Sequence, residues 1–269
     1  FELARQMFAR AIAIDNTYAR AYAGLADCCS TLYQYFDSSE ENLLEADTAS
    51  RKAVEIDPDN AEAHSSRGLA LSLSSRYEES GAEFEKAIEL NPKLYEPYYF
   101  YARSLFGQGE HEEAARCYEK AAEISPDDYQ ALQFLSLTYT KLGKRGHAAS
   151  ALRKSVENAK KHIAFNPDDV RALYLGAAGL VELGEMDVAE EWVARAVEID
   201  PDDALVLYNV ACVYTQLGEI DKALDCLERS DTVASSTDAL NWMRNDPDLD
   251  PLRDQPRFQA LVEKAPAAD

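Results

Sequence analysis

Proline falls at 58, 92, 126, 167 and 201, each time inside a polar turn: Asp57-Pro58-Asp59-Asn60, Asn91-Pro92, Ser125-Pro126-Asp127-Asp128, Asn166-Pro167-Asp168-Asp169 and Asp200-Pro201-Asp202-Asp203. The steps between these prolines are 34, 34, 41 and 34 residues. Asn16, in an earlier Asp15-Asn16 pair, lies 42 residues before Pro58. The two long steps exceed 34 by seven and eight residues, about two helical turns, which lengthen a helix while nearly preserving its buried face. A fixed period of this kind constrains the chain more than any composition does. Each period must be one structural unit that buries its apolar face on its neighbours.

Each period holds two apolar stretches at helical spacing, divided by Gly109, Gly143, Gly184 or Gly218 at one shared position. Glycine there supplies the left-handed backbone that ends a helix. Proline after the second stretch stops that helix and opens the next turn. Small residues recur where helices must approach: Gly68, Ala102, Ser136, Ala177 and Ala211 in the first helix, Ala87, Ala121 and Ala196 in the second. Large residues such as Tyr98, Tyr101, Leu105 and Tyr118 fill the spaces between. The pattern predicts antiparallel helix pairs stacked into an all-α solenoid.

Composition narrows the partners. The 269 residues carry 49 acidic and 27 basic side chains, a net charge of −22, with 46% hydrophobic residues. That is enough apolar matter for a core and too negative a surface for phosphate backbones or anionic lipid. No apolar run reaches the 18 residues a membrane helix needs. Cys28, Cys29, Cys117, Cys212 and Cys226 are odd in number and irregular in spacing, neither a disulfide framework nor a zinc pattern. They read as reduced, buried small hydrophobes, which fits a cytoplasmic location. Phe1 opens the chain inside an apolar-periodic segment without an initiating Met or a polar leader, as expected of a piece of a longer polypeptide.

With these residues in view, the chain resembles the tetratricopeptide repeat (TPR) family. The family motif is followed by Tyr98, Tyr101, Ala102, Leu105, Ala114, Tyr118, Ala121 and Pro126 in one period, and by Leu132, Leu135, Ser136, Tyr139, Ala148 and Leu152 in the next. Leu173, Gly176, Ala177, Leu180, Ala189, Val193, Ala196 and Pro201 follow it again, as do Leu207, Val210, Ala211, Tyr214, Ala223 and Leu227. The resemblance covers roughly residues 1 to 230. It implies a right-handed superhelix: a half repeat at 1–18, repeats at 19–60, 61–94, 95–128, 129–169, 170–203 and 204–235, and capping helices with a tail over 236–269. The extra residues of the first repeat are expected around Tyr33 to Leu44, between its helices, and those of the fourth at Lys160 to Phe165, prolonging its second helix. Trp242-Met243, the Asp246 to Arg253 turn and Pro256-Arg257-Phe258 read as a cap of short helices over the last apolar face. The long first repeat and this C-terminal segment are similar to TPR regions of large bacterial signalling proteins downstream of cyclase, kinase or TolB-like domains.

Chemistry is sparse. No Walker A loop, dinucleotide fingerprint, nucleophile elbow or kinase Lys/Asp set occurs. Gly107-Gln108-Gly109 joins two helices of one repeat, and His111-Glu112-Glu113-Ala114-Ala115 lacks the second His of a zinc helix. His64, His147 and His162 are scattered and read as surface or packing residues. The Pro-Asp-Asp turns lack the alternating ligands and central Gly of a calcium loop, so helix capping explains them better. No catalytic residue, metal site or cofactor is expected, and the chain reads as a non-enzyme.

By resemblance, positions 2, 5, 6, 9, 12 and 13 of each repeat line a concave groove for a peptide or protein segment. The residues placed there are Tyr99, Phe100, Arg103, Gln133, Phe134, Leu137, Arg171, Tyr174, Tyr208 and Asn209, with Phe106, Gln130, Lys141, Leu175 and Thr215 at further groove positions. An aromatic floor with arginines suits an extended or helical peptide, with a carboxylate met by Arg. Tyr99, Tyr174, Tyr208 and Asn209 stand where the general repeat also carries such residues, so a scaffold role competes for them. The two-carboxylate clamp of chaperone-binding relatives is not reproduced: Ala23, Asp27 and Ser66 occupy its positions, and Ser65 stands where a clamp begun one repeat later needs Lys. The expected function is a non-catalytic interaction scaffold. The alternative is a regulatory or oligomerisation module of a larger signalling enzyme, self-associating through the uncapped helix at residues 1–15.

Overall fold

The polar turns start helices. The Asn60 side chain accepts the Ala63 backbone N–H at 3.0 Å, Asp128 that of Ala131 at 2.7 Å, Asp169 that of Ala172 at 3.0 Å and Asp203 that of Val206 at 2.9 Å. Each satisfies one of the orphan donors of a helix N-terminus, worth about 1 kcal/mol. At the other end of the pair, Gly109, Gly143, Gly184 and Gly218 adopt φ of 85°, 69°, 81° and 80°. At the matching position of the preceding period stands Ser75, with φ of 58°.

The structure, a computed structural model, describes residues 1–230, 243–244 and 246–263. Among these, all regular structure is helical: α1 (Glu2–Ile14), α2 (Ala19–Tyr35), α3 (Glu40–Ile56), α4 (Ala61–Leu73), α5 (Tyr77–Leu90), α6 (Tyr95–Gln108), α7 (His111–Ile124), α8 (Gln130–Lys141), α9 (Arg145–Phe165), α10 (Val170–Glu182), α11 (Met186–Ile199), α12 (Ala204–Leu217) and α13 (Ile220–Arg229). A 3-10 helix (Pro247–Leu252) and α14 (Pro256–Glu263) follow. The fold is an all-α solenoid of helix pairs stacked in chain order. Among the described residues no helix is long and apolar enough to cross a membrane.

The chain divides into two compact units, residues 1–127 with 134–148, and 128–133 with 149–269. In the first, α1 packs on α2, α2 on α3 and α4, and α4 on α5 and α6. The small residues named above let the partners close: a Cβ added to Gly68 would lie 2.7 Å from the ring of Phe84, which is fully buried. Phe84 in turn stacks on Tyr101, centroids 5.4 Å apart. Arg67, buried on α4, reaches α3, donating to the Asp47 carboxylate at 2.6 Å, the Asp47 carbonyl at 3.0 Å and the Ser50 hydroxyl at 3.3 Å. In the second unit, α10 packs on α11 and α12, and the 3-10 helix on α12. Leu173, Leu180, Val193, Leu207 and Leu227 form a core that Met243, Leu249, Leu252, Phe258 and Leu261 complete. Trp242, most of the short helix expected around it, and the tail from 264 lie outside the described residues.

The first long repeat departs from expectation. Its extra residues do not make a connecting segment: α2 and α3 are each 17 residues long against 13 and 14 for α4 and α5, and only residues 36–39 join them. The segment contains no Gly or Pro to break a helix, so the insertion adds turns to both. In the fourth, α9 runs 21 residues to Phe165, the extension expected there. Cys28, Cys29, Cys212 and Cys226 are buried and unpaired by disulfides, while Cys117 is half-buried. Burial pushes the Cys29 thiol up to about 12, reinforced by Glu45, and the Cys117 thiol up to about 11.

Candidate ligand groove

In the first unit, the inner face is built by α2, α4, α6 and the part of α8 from Phe134. The lengthened end of α2 crosses onto α6. Arg103 donates to the Gln34 side-chain oxygen at 3.2 Å and to the Tyr35 hydroxyl. Its guanidinium lies 5.6 Å from the ring centroid of Tyr35 and 5.9 Å from those of Tyr99 and Phe134. Rings continue the cluster: Tyr99 stacks on Tyr95 at 5.5 Å and meets Phe100 edge-on at 5.4 Å, and Phe134 stacks on Tyr118 at 6.0 Å. A guanidinium held over three rings gains cation–π attraction at each.

The expected residues divide by burial. Tyr99 is buried, only 6% exposed, and serves chiefly as the floor. Phe100, Arg103 and Phe134 are half-buried, and Leu137 is 42% exposed. Phe100 and Arg103 line a shallow, open concavity together with Gln34, Leu69, Leu73, Ser72 and Ser104. The serines bond to each other across α4 and α6 at 2.8 Å. Sequence reasoning missed Gln34 and Tyr35, which lie in an insertion, and Leu69, Ser72 and Leu73, which stand at groove positions 9, 12 and 13 of their own repeat. The same register would have found the last three.

Asp27 of α2 interacts with Ser66 of α4 and feels the charges of Glu96 on α6 and Glu62 on α4. Its side chain meets solvent, yet the surrounding walls remove enough water to push its carboxyl up; a hydrogen bond with Ser66 opposes the rise, and Glu96 and Glu62 add to it. Glu62 is itself bridged to Arg20 at 3.1 Å.

In the second unit, the expected groove residues are held by internal contacts. Arg171 donates to Gln130 at 2.8 Å, and Gln133 accepts from Ser155 at 3.3 Å. Tyr174 is buried in the core, Asn209 donates to the Leu205 carbonyl at 2.8 Å, and the Tyr208 hydroxyl donates to Asp246 at the start of the 3-10 helix. The chain's own C-terminal segment thus covers part of the inner face of α12. Nearby, Asp248 and Glu182 are pushed up, chiefly by burial and then by Asp246 and Asp248 respectively.

Known proteins share this architecture at low identity. Human IFIT1 with m7Gppp-AAAA matches at TM-score 0.60 and 16% identity over 98% of this chain and 66% of that one. A chain of the APC/C hetero-tetramer Cut9-Hcn1 matches at 0.63 and 17% over 97% of this chain, which spans 51% of that one. Pseudomonas aeruginosa pilF matches at 0.53 and 18% over 93% and 99%. No curated protein matches in sequence. The family profile described as tetratricopeptide repeat matches residues 69–230, and a second of the same description matches 41–95. Turn capping, left-handed glycines and stacked pairs thus coincide with a family match over more than half of this chain: the chain belongs to the tetratricopeptide repeat family.

Proposed function

We propose that the chain is a non-catalytic protein–protein interaction scaffold that holds a peptide or protein segment on the inner face of its first helices. TPR proteins are generally non-catalytic and bind peptide or protein partners. The observation that carries the reading is the concavity on α2, α4 and α6, where Leu69, Leu73 and Phe100 offer apolar surface beside the fixed charge of Arg103. Phe134 and Leu137 continue that surface, and Gln133, Arg171, Tyr174, Tyr208 and Asn209 remain the proposed contacts in the second unit. The structural neighbour human IFIT1 is bound to m7Gppp-AAAA. A net charge of −22 repels phosphate, so we assign this chain no nucleic-acid partner. Affinity capture tests the reading: wild type and the outer-face variant Lys120→Glu retain a common partner, while Phe100→Ala and Arg103→Glu, checked as folded, lose it. Equal retention by all four would overturn the groove assignment.

A second reading rests on α1. Phe1, Leu3, Met7 and Ile14 are exposed on it. Beside it, Arg5 bridges to Glu45, which lines an open depression with Tyr22, Leu25, Ala49, Arg51 and Lys52. We propose this face for self-association, or for contact within a larger bacterial, cytoplasmic signalling enzyme of cyclase, kinase or TolB-like type. Light scattering after size exclusion would show a concentration-dependent dimer that Leu3→Glu abolishes; a monomer at all concentrations would contradict self-association. The boundary between the solenoid and its cap, which we propose at 235/236, lies outside the described residues.

A further inference from the structure

We propose that the exposed face of α9 binds an acidic helix of a partner protein, its cations meeting the partner's carboxylates and Phe165 meeting an apolar side chain beyond them. The site is separate from the groove and does not rest on it. In a chain with 49 acidic and 27 basic residues, α9 inverts the balance: it carries Arg145, Arg153, Lys154, Lys160 and Lys161 against Glu157 alone. The second helices α3, α5, α7, α11 and α13 each carry more acids than bases.

Arg153, Lys154, Lys160 and Lys161 are all exposed. Residues seven apart on a helix differ by about 20° in direction and about 10 Å in rise. Arg153 with Lys160, and Lys154 with Lys161, therefore form two columns on one face. Glu157 stands between them, bridged to Lys161 at 2.7 Å. The Lys161 hydrogen bond, then the Lys161 charge, hold its carboxyl below the ordinary value, and the Lys154 charge adds to this. Lys160 is bridged to Glu185 at 2.7 Å. Exposed pairs of this kind are weak, so a partner's carboxylate can join or replace either. Arg153 and Lys154 have no carboxylate within ion-pair reach among the described residues. One turn after Lys161 stands Phe165, 86% exposed. Lys160, Lys161 and Phe165 all belong to the extension of the fourth repeat, so the lengthening itself builds the site.

A helix laid along α9 repeats its side chains at the same rise and meets both columns. An extended strand puts same-side side chains about 7 or 14 Å apart and falls out of step. Screening decides between this face and the net charge: at physiological salt the field of exposed charges decays over about 8 Å. A carboxylate on α9 thus responds to the four cations before the acidic remainder. A long polyanion or an anionic lipid surface extends past the patch and meets that remainder.

Fluorescence anisotropy of the whole chain with a labelled, alanine-based helical peptide tests this, the peptide carrying Glu at i, i+4 and i+7 and Leu at i+11. Binding is expected at physiological salt, weaker at high salt, and absent when Gln replaces Glu. Arg153→Glu/Lys154→Glu should weaken it roughly tenfold or more, and Phe165→Ala should weaken it severalfold. Lys86→Glu/Lys120→Glu, an equal charge change on α5 and α7, and Phe100→Ala in the groove should leave it unchanged, with wild-type circular dichroism in every variant. No binding of the Glu peptide, or equal binding by Arg153→Glu/Lys154→Glu, overturns the site. Loss through Phe100→Ala, with Arg153→Glu/Lys154→Glu binding as wild type, would move the peptide to the groove and overturn it too. Tighter binding of oligothymidine or phosphatidylserine vesicles, lost in Arg153→Glu/Lys154→Glu, would overturn the acidic helix as occupant in favour of a phosphate ligand.

Discussion

Arg103 on α6 lies over the ring of Tyr35 at the end of α2, 5.6 Å from its centroid, and donates a hydrogen bond to its hydroxyl. The two residues are 68 positions apart, and the contact exists because the first repeat is longer by two turns. Removing the ring by Tyr35→Ala is expected to cost about 1–3 kcal/mol, combining lost cation–π attraction and a lost charge-assisted hydrogen bond. Urea unfolding of Tyr35→Ala, Arg103→Ala and the double variant should give a coupling energy of about 0.5–2 kcal/mol. Additive single effects would mean that the two side chains do not support each other.

Arg67 and Asp47 form an ion pair whose arginine is buried, with Ser50 completing the site. Arg67→Ala leaves Asp47 with only the longer contacts to Arg76 at 3.4 Å and Arg51 at 3.6 Å, and is expected to cost about 1.5–3 kcal/mol for the lost charge-assisted hydrogen bonds. Arg67→Met, which keeps the volume and loses the charge, should cost less when combined with Asp47→Leu than alone. Thermal or urea midpoints of the three variants decide this.

His64 is placed between two acceptors, the Pro58 carbonyl at 2.8 Å and the Glu83 carboxylate at 2.5 Å. Both ring nitrogens must donate, so the imidazolium is the form that fits. The hydrogen bond to Glu83 raises its pKa, burial opposes this, and the Pro58 carbonyl adds to the rise. Because the folded pKa lies above the unfolded value of about 6.5, the stabilisation is fully present below that pH and is lost as pH rises through the folded pKa. Urea midpoints should fall with rising alkalinity in wild type and vary less in His64→Gln. A proton-resonance titration placing His64 at or below the unfolded value would contradict the assignment.

Ser75 occupies with φ of 58° the place that glycine holds in four later turns. A side chain in the left-handed region costs about 1–2 kcal/mol, partly offset because glycine loses more freedom on folding. Ser75→Gly should therefore stabilise the chain by about 0.5–1 kcal/mol, read as a higher urea midpoint at unchanged slope.

What could be read in the sequence was what the period repeats. The Asp and Asn caps, the glycine turns and the small residues at Gly68, Ala102 and Ala121 are local requirements of each helix pair, so they recur and identify themselves. The contacts that escaped are those made once. Gln34 and Tyr35 sit in a stretch with no counterpart in other repeats, and their partner Arg103 is distant in sequence. The Tyr208 bond to Asp246 likewise depends on how a non-repeating segment folds back on α12. Arg103, proposed as a groove contact, is also held by Gln34 and Tyr35 of the chain itself. Burial of Tyr99 and Tyr174 favours the scaffold role that competed for them.

Hydrogen exchange of the whole chain, with and without a peptide selected for binding to it, separates the inner face from every other surface, because it reports every helix at once. Added protection is expected in α4 and α6 and at the end of α2, with α5 and α7 on the outer side unchanged. Protection confined to α5 and α7, or to α1, would contradict a ligand groove on the inner face.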